Sequence, residues 1–543
     1  MNASRPKRHR PRGLGGSSVR IVTALRMVFV GAVSVGVLSG EGQAAANGRF
    51  PAANQIVFSP SDPEVVVGRT TYAVLPSRDD GATFSYICED ALGLPTNAYQ
   101  DPELGLTANG SLVAGLYFPT AGVDVSSDFG CNWSCTGGPL AGQSIADVVV
   151  RPDAPATVLA LTSTSVSADA GGGNFSQVFQ STDNGTGWAA LGVAFDPDVL
   201  VQTIDVAASD PNRVYVSGTR GFGAGRTASL FVSADGAAHW AEHPLPDFDP
   251  TSEDSIYIGA VDPTDADRVY IRSNSLATGG RSRLFVTGDG GSSFQVVKQF
   301  DIPDPGVLAS EGELLGFALS PDGSKVYAGT KGAGLFVANK ADLAFRMKSS
   351  IHVQCLATRG SELWACSDEV SGFVIGVSTD DGATFCPKLS TITGLAGPIA
   401  CAPNAGGPLA CGATANASQC RDSFEAFCSS AEPSGSCSTS ASECGAPADG
   451  GEMLVADSST PQHARGSASG GCSVARDRGA SGVGAACLAA FVALLRRRKR
   501  GPKLGALRRP LRKLVIGTRS VSRRRPVHRA RIRRNGVNPP EKT

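Results

Sequence analysis

Ser77 to Phe84 reads SRDDGATF, and the same eight-residue pattern returns as TGDGGSSF from Thr287 and STDDGATF from Ser378. Relaxed copies begin at Ser126 (SSDFGCNW), Ser181 (STDNGTGW) and Ser233 (SADGAAHW, with Ala237 in the glycine position). A seventh, ANKADLAF from Ala338, keeps only the closing aromatic. The starts lie 49, 55, 52, 54, 51 and 40 residues apart. The residue types are those of a tight turn. An Asp carboxylate accepts backbone N–H bonds across it and Gly takes the position of positive φ. The hydroxyl residue closes the loop, and the aromatic packs back between strands. The box aspartates are Asp79, Asp128, Asp183, Asp235, Asp289 and Asp380.

A second motif precedes the boxes at a similar phase: SPSDPEVVVG from Ser59, ASDPNRVYVSG from Ala208, DPTDADRVYIRS from Asp262 and SPDGSKVYAGT from Ser320. Asp-Pro starts a turn, and the β-branched and aromatic alternation after it reads as a strand. A further apolar run, such as residues 229–232 or 283–286, leads into each box. Four short strands in roughly 50 residues make the unit of a propeller blade. The boxes resemble the Asp-box, or BNR, repeat of sortilin-like propellers. That resemblance places each box between the third and fourth strands and implies an all-β, seven-bladed β-propeller over residues 47–390. Residues 353–385 and 397–401 also look like secreted myxobacterial propeller proteins, a resemblance that supplies no reaction.

Composition fits one large domain with tails. Of 543 residues, 41% are hydrophobic and 18% charged, which excludes a polytopic membrane protein and a wholly disordered chain. The formal net charge is zero, from 49 basic and 49 acidic residues. Residues 1–26 hold 7 Lys/Arg and no acid, and residues 496–543 hold 19 Lys/Arg and one acid. Residues 27–495 therefore carry a net −25. The N-terminal basic run precedes an apolar core at residues 28–38 and a small-residue AAA at 44–46, the layout of a signal peptide over 1–46.

At the other end, GCSVARDRGASGVGAACLAAFVALLRRRKR occupies residues 471–500. Its apolar stretch, 480–495, would rise about 24 Å as a helix, somewhat under the hydrocarbon core. A Gly-Cys pair, a transmembrane-like stretch and an Arg cluster in that order resemble the myxobacterial sorting signal MYXO-CTERM. The resemblance implies that Cys472 is the processing and lipid-attachment site. Residues 446–470 suit a flexible linker. Residues 501–543 form a basic tail without aromatic residues, so nucleic acid is not an expected partner.

Export makes disulfides the default for the 14 cysteines. Cys355 and Cys366 fall symmetrically about Gly360-Ser361, which places them opposite each other on a hairpin. Cys88, Cys131 and Cys135 would give one bridge and one free thiol. Residues 391–445 form a Cys-rich coda without CxxC or nearby His, expected to be a small disulfide-stapled cap and not a metal site.

No catalytic residue is assigned. The early Phe-Arg-Ile-Pro-type motif of a sialidase is missing, and Tyr215, Tyr270 and Tyr327 sit inside the repeated strand motif. Inverting glycosidases need only two carboxylates, and residues 47–390 contain 39 acids. Asp101, Glu103, Glu253 and Glu313 are among those without a motif around them. His239, His243 and His352 have no partner at ligand spacing. Gly-rich residues 168–174 and 220–226 lengthen two blades and could shape a binding face. The expectation is a surface-anchored binding or adhesion propeller for a glycan or surface partner, without a cofactor. A surface glycoside hydrolase is the alternative, and a peptide-docking assembly factor a third reading. Replacing Cys472 by Ala should abolish lipid labelling and release or misplace the protein; unchanged labelling refutes the anchor.

Overall fold

The computed structural model describes residues 52–94, 101–117, 120–167, 172–275, 280–301, 312–402, 410–411 and 417–431. The signal-peptide region, the linker, Cys472 and the basic tail lie outside them. Among the described residues no helix is long and apolar enough to cross a membrane. Seven four-stranded antiparallel sheets follow one another along the chain, at 53–88, 103–135, 145–191, 199–244, 255–301, 314–349 and 355–389. Each is a simple meander in which sequence order equals spatial order. Blade 3 adds a small hairpin, Thr164–Ser165 with Asn174–Phe175, between its second and third strands. The molecule is a seven-bladed β-propeller.

Burial follows the radial position of each strand. Second and third strands such as Leu112–Leu116 and Gly122–Ser126 are buried throughout, whereas fourth strands such as Ala241–Pro244 and Gln295–Asp301 are largely exposed. The core is consequently distributed over the seams between blades. One apolar cluster joins blades 3 and 4 through Leu161, Val201, Ile204 and Phe231. Similar clusters join blades 2 to 3, 4 to 5, 5 to 6 and 6 to 7. The cluster that closes the ring combines blades 7, 1 and 2 with the coda.

Six boxes adopt one geometry between third and fourth strands. In blade 1 the Ser77 hydroxyl donates to Asp79 Oδ1 (2.8 Å) and accepts the Gly81 N–H (2.9 Å). Thr83 donates its N–H to Asp79 Oδ1 (2.9 Å) and its hydroxyl to Oδ2 (2.6 Å). Asp128, Asp183, Asp235, Asp289 and Asp380 repeat the arrangement, with Asn132 or His239 replacing the closing hydroxyl in two of them and Gly187 supplying only its N–H in the Asp183 box. The bonds from Ser293 and Thr287 hold Asp289 at about 2, below the usual carboxylate range. The glycine has two reasons to be there. Gly382 lies at φ 82°, and a Cβ on it would stand 2.2 Å from Leu335 of the preceding blade. Ala237, at φ 74° and fully buried, is the one departure. The seventh turn has no box carboxylate and is held by Leu343 N–H to Asn339 C=O (2.9 Å).

The coda departs from expectation. It is not a self-contained cap, and Cys88, Cys131 and Cys135 do not pair among themselves. Cys88 is joined to Cys420, Cys131 to Cys401 and Cys135 to Cys411. The cause is an open sheet edge. Residues 396–399 add in parallel to the outer edge of blade 1, through Ala396 N–H to Phe84 C=O (2.9 Å), Tyr86 N–H to Gly397 C=O (2.8 Å) and Ile399 N–H to Tyr86 C=O (3.0 Å). That addition carries the coda cysteines to blades 1 and 2. The helix Arg421–Ala431 then stacks Phe427 on Tyr72, with centroids 4.6 Å apart. Cys355 and Cys366 are joined across paired strands of blade 7, and Cys386 and Cys428 each take part in a disulfide.

The Cys88–Cys420 bridge spans 332 residues. Its removal in C88S/C420S should lower stability by about 2–4 kcal/mol, measured by denaturant unfolding of the oxidised protein; an unchanged midpoint would show that this bridge contributes nothing to stability.

Candidate functional site

In a meander blade, the turns joining strands one to two and three to four leave on one face. The two-to-three turns and the links between blades leave on the other. The boxes occupy the first face. The second holds the mouth of the central channel, a cavity of about 650 Å³. It is lined by the beginnings of first strands (Ala53–Phe58, Ile145–Val150, Val199–Val206, Leu314–Leu319, Cys355–Arg359) and the ends of second strands.

Blades 1 and 2 contribute a hydrogen-bonded chain of side chains. Asn54 donates Nδ2 to Asp101 Oδ2 (2.6 Å) and accepts from Arg69 Nε (3.0 Å). Arg69 Nη1 reaches the Pro102 carbonyl (3.0 Å) and Glu103 Oε1 (2.8 Å). Gln55 holds both backbone groups of Leu104, N–H to Oε1 at 3.2 Å and carbonyl to Nε2 at 3.3 Å. Opposite, Arg272 donates to the Leu314 carbonyl (2.7 Å) and lies over the Tyr257 ring at 4.8 Å. Burial pulls its guanidinium below the usual arginine range, against the nearby Tyr257, Glu313, Glu103 and Asp147.

Asp147 also lines the cavity. Burial, with the charge of Glu103 added, pushes its carboxyl well above the usual range. Its oxygens accept Val148 N–H (2.8 Å) and, from the next blade, Ile204 N–H (2.9 Å). Asp205 repeats the device one blade on, accepting Val206 N–H (2.8 Å) and Val261 N–H (3.2 Å). A feature recurring at the same strand position in two blades is first a brace between blades.

Of the acids without a motif, Asp101 and Glu103 are thus brought together at the mouth. Glu313 accepts from Asn274 Nδ2 (2.8 Å), and burial raises its carboxyl. Glu253 is buried and committed: Arg283 donates to its oxygens at 2.7 and 2.5 Å, and Ser273 at 2.5 Å. The Tyr215 hydroxyl bonds the Ala266 carbonyl at 2.6 Å, inside the fold. Two histidines have partners that sequence spacing missed. His239 Nδ1 meets its box Asp235 (2.7 Å), and His352 Nδ1 meets buried Asp368 (2.9 Å). In the loop 220–226, Arg220 is engaged by Asp196, Asp198 and Glu242 at 3.1, 2.6 and 2.7 Å. Residues 168–171 of the other Gly-rich loop lie outside the described residues. Sequence reading missed Asn54, Arg69, Asp147, Tyr257 and Arg272; only the carboxylates of IADV and TIDV, inside apolar inner strands, carried a local signal.

No protein-family profile matches the chain, and no curated protein does. Solved structures similar to it include a GH74 enzyme from Niastella koreensis (14% identity, 63% of this chain and 66% of that one, TM-score 0.35). A GH74 xyloglucanase from Xanthomonas campestris is similar at 14% identity over 63% of this chain and 64% of that one, TM-score 0.28. A β-propeller domain from Myceliophteria thermophila shows 11% identity over 61% of this chain and 98% of that one, TM-score 0.38. The chain thus spans just under two thirds of each of the two GH74 proteins, 66% of the Niastella enzyme and 64% of the xyloglucanase.

Burial pushes Asp205 up to about 6 from the usual 3.8, against the pull of the two amides. The folded state therefore holds this proton more tightly than the unfolded chain, and stability falls as pH rises from about 4 to about 6, then levels. The expected loss is about 3 kcal/mol. Denaturant unfolding at about pH 4 and pH 7.5 should show a pH difference smaller by that amount in D205N; an unchanged difference contradicts the assignment.

Proposed function

We propose that the chain is an exported, surface-anchored Asp-box propeller that binds a hydroxyl-rich ligand, a glycan, at the channel mouth, without turning it over. The observation that carries this reading is the state of the mouth's carboxylates. Asp101 and Glu103 are each bonded to a neighbouring side chain, and Asp147 to two backbone amides. Such groups present fixed acceptors and donors, which is what orients a polar ligand in a largely preformed site. The acidic part of the chain facing the medium, net −25 over residues 27–495, disfavours a polyanion. Export and attachment at Cys472 rest on the two terminal sequence patterns.

A glycoside hydrolase is the second reading. One observation favours it: Asp147, whose carboxyl burial pushes well above the usual range, shares the cavity with Glu103, the pairing of carboxyls with unlike affinity for a proton that an acid and a base require. Against it, the recurrence at Asp205 assigns Asp147 to the brace.

Glycan-array capture and a hydrolysis screen on the purified full chain separate the readings. Binding without product release is expected, weakened at least tenfold in R69A, because that change leaves Glu103 without its cation and breaks the Asn54 link. Turnover abolished by D147N would overturn the binding reading.

A further inference from the structure

The three bridges that fasten the coda are chemically unlike. Cys88, Cys420, Cys131 and Cys411 are buried and Cys401 is half-buried, whereas Cys135 is exposed. Beside it, on the third strand of blade 2 (Gly122–Ser126), lies Asp124, which faces Cys135 in register. Asp124 is fully buried. Its Oδ1 accepts the Cys411 N–H at 2.8 Å, while Oδ2 is buried and has no hydrogen-bond partner. One carboxylate oxygen and both sulfurs lie within 4.8 Å of one another.

A cap for the Cys411 amide needs one acceptor oxygen, and an asparagine would supply it without burying an acid. A bare, buried carboxylate oxygen is costly unless the group is protonated or has a task. We propose that Cys135–Cys411 is a thiol–disulfide exchange site, open to a dithiol reductant at Cys135 and served by Asp124 as an internal proton donor. Burial pushes Asp124 up to about 7, opposed only by the Cys411 amide; no charged group contributes. The carboxyl therefore holds its proton through mildly acidic pH.

The exchange balances as follows. A thiolate of the reductant attacks the exposed Cys135 sulfur, forming a mixed disulfide and breaking the bond to Cys411. The electron pair leaves on Cys411, which takes the Asp124 proton and becomes a thiol. The reductant's second thiol loses its proton to solvent and attacks its own sulfur in the mixed disulfide. Cys135 departs as a thiolate and is protonated by water, and Asp124 regains its proton from solvent. The reductant is oxidised to a disulfide, and the cysteine pair gains two electrons. Cys131–Cys401 and Cys88–Cys420 stay closed, so the middle fastening of the coda opens alone.

The test treats the oxidised full chain with dithiothreitol under native conditions and follows alkylation of each cysteine by mass spectrometry. Cys135 and Cys411 are expected to become reactive at least tenfold faster than the cysteines of the other three assigned bridges. The rate per dithiothreitol thiolate should fall as pH rises through about 7 in the native protein and be flat in D124N. Opening no faster than the buried bridges overturns the site. A flat profile in the native protein overturns the proton donor, and needs no variant to be read.

Discussion

Seven sheets in a ring leave one joint that chain continuity cannot make, the seam between the last blade and the first. Here every blade is a continuous stretch of sequence, so among the described residues no sheet holds strands from both ends of the propeller. Closure is assembled from other contacts. Arg359 of blade 7 bonds Asp80 of blade 1 and lies over Phe58 and Trp364 at 5.0 and 5.1 Å. Lys388 reaches the same Asp80 at 3.1 Å. The coda then crosses the seam, adds to the free edge of blade 1 and is fastened covalently to blades 1 and 2. The cluster uniting blades 7, 1 and 2 with the coda is the apolar counterpart of that strap.

The box turns do the complementary task within each blade. Ser or Thr, Asp and the closing residue satisfy one another within seven residues, and the left-handed glycine lets the turn lie against the preceding blade. Where the glycine is replaced, at Ala237, the buried methyl joins the apolar cluster of blades 3 and 4. Turn chemistry and seam packing are therefore coupled at the same residue, which explains why the pattern repeats with so little variation.

That locality is also why so much of the fold could be read before the structure. A box is complete within eight residues, and the Asp-Pro turn and its strand within about ten. Cys355 and Cys366 share one hairpin. Cys88, Cys131 and Cys135 find partners 332, 270 and 276 residues away, set by an edge-strand addition that no spacing announces. The channel mouth was hidden for the same reason. Asn54, Arg69, Glu103, Tyr257 and Arg272 come from three blades and belong to no shared motif, so only the closed ring brings them together. Glu253 looked equally unassigned, yet folding buries it against Arg283.

Hydrogen exchange on the chain ended after residue 390, set beside the full chain, probes closure most directly. Amides of blades 1, 2 and 7 are expected to lose protection while those of blades 4 and 5 keep it. Equal protection in both chains, blade by blade, would contradict a ring closed by its coda.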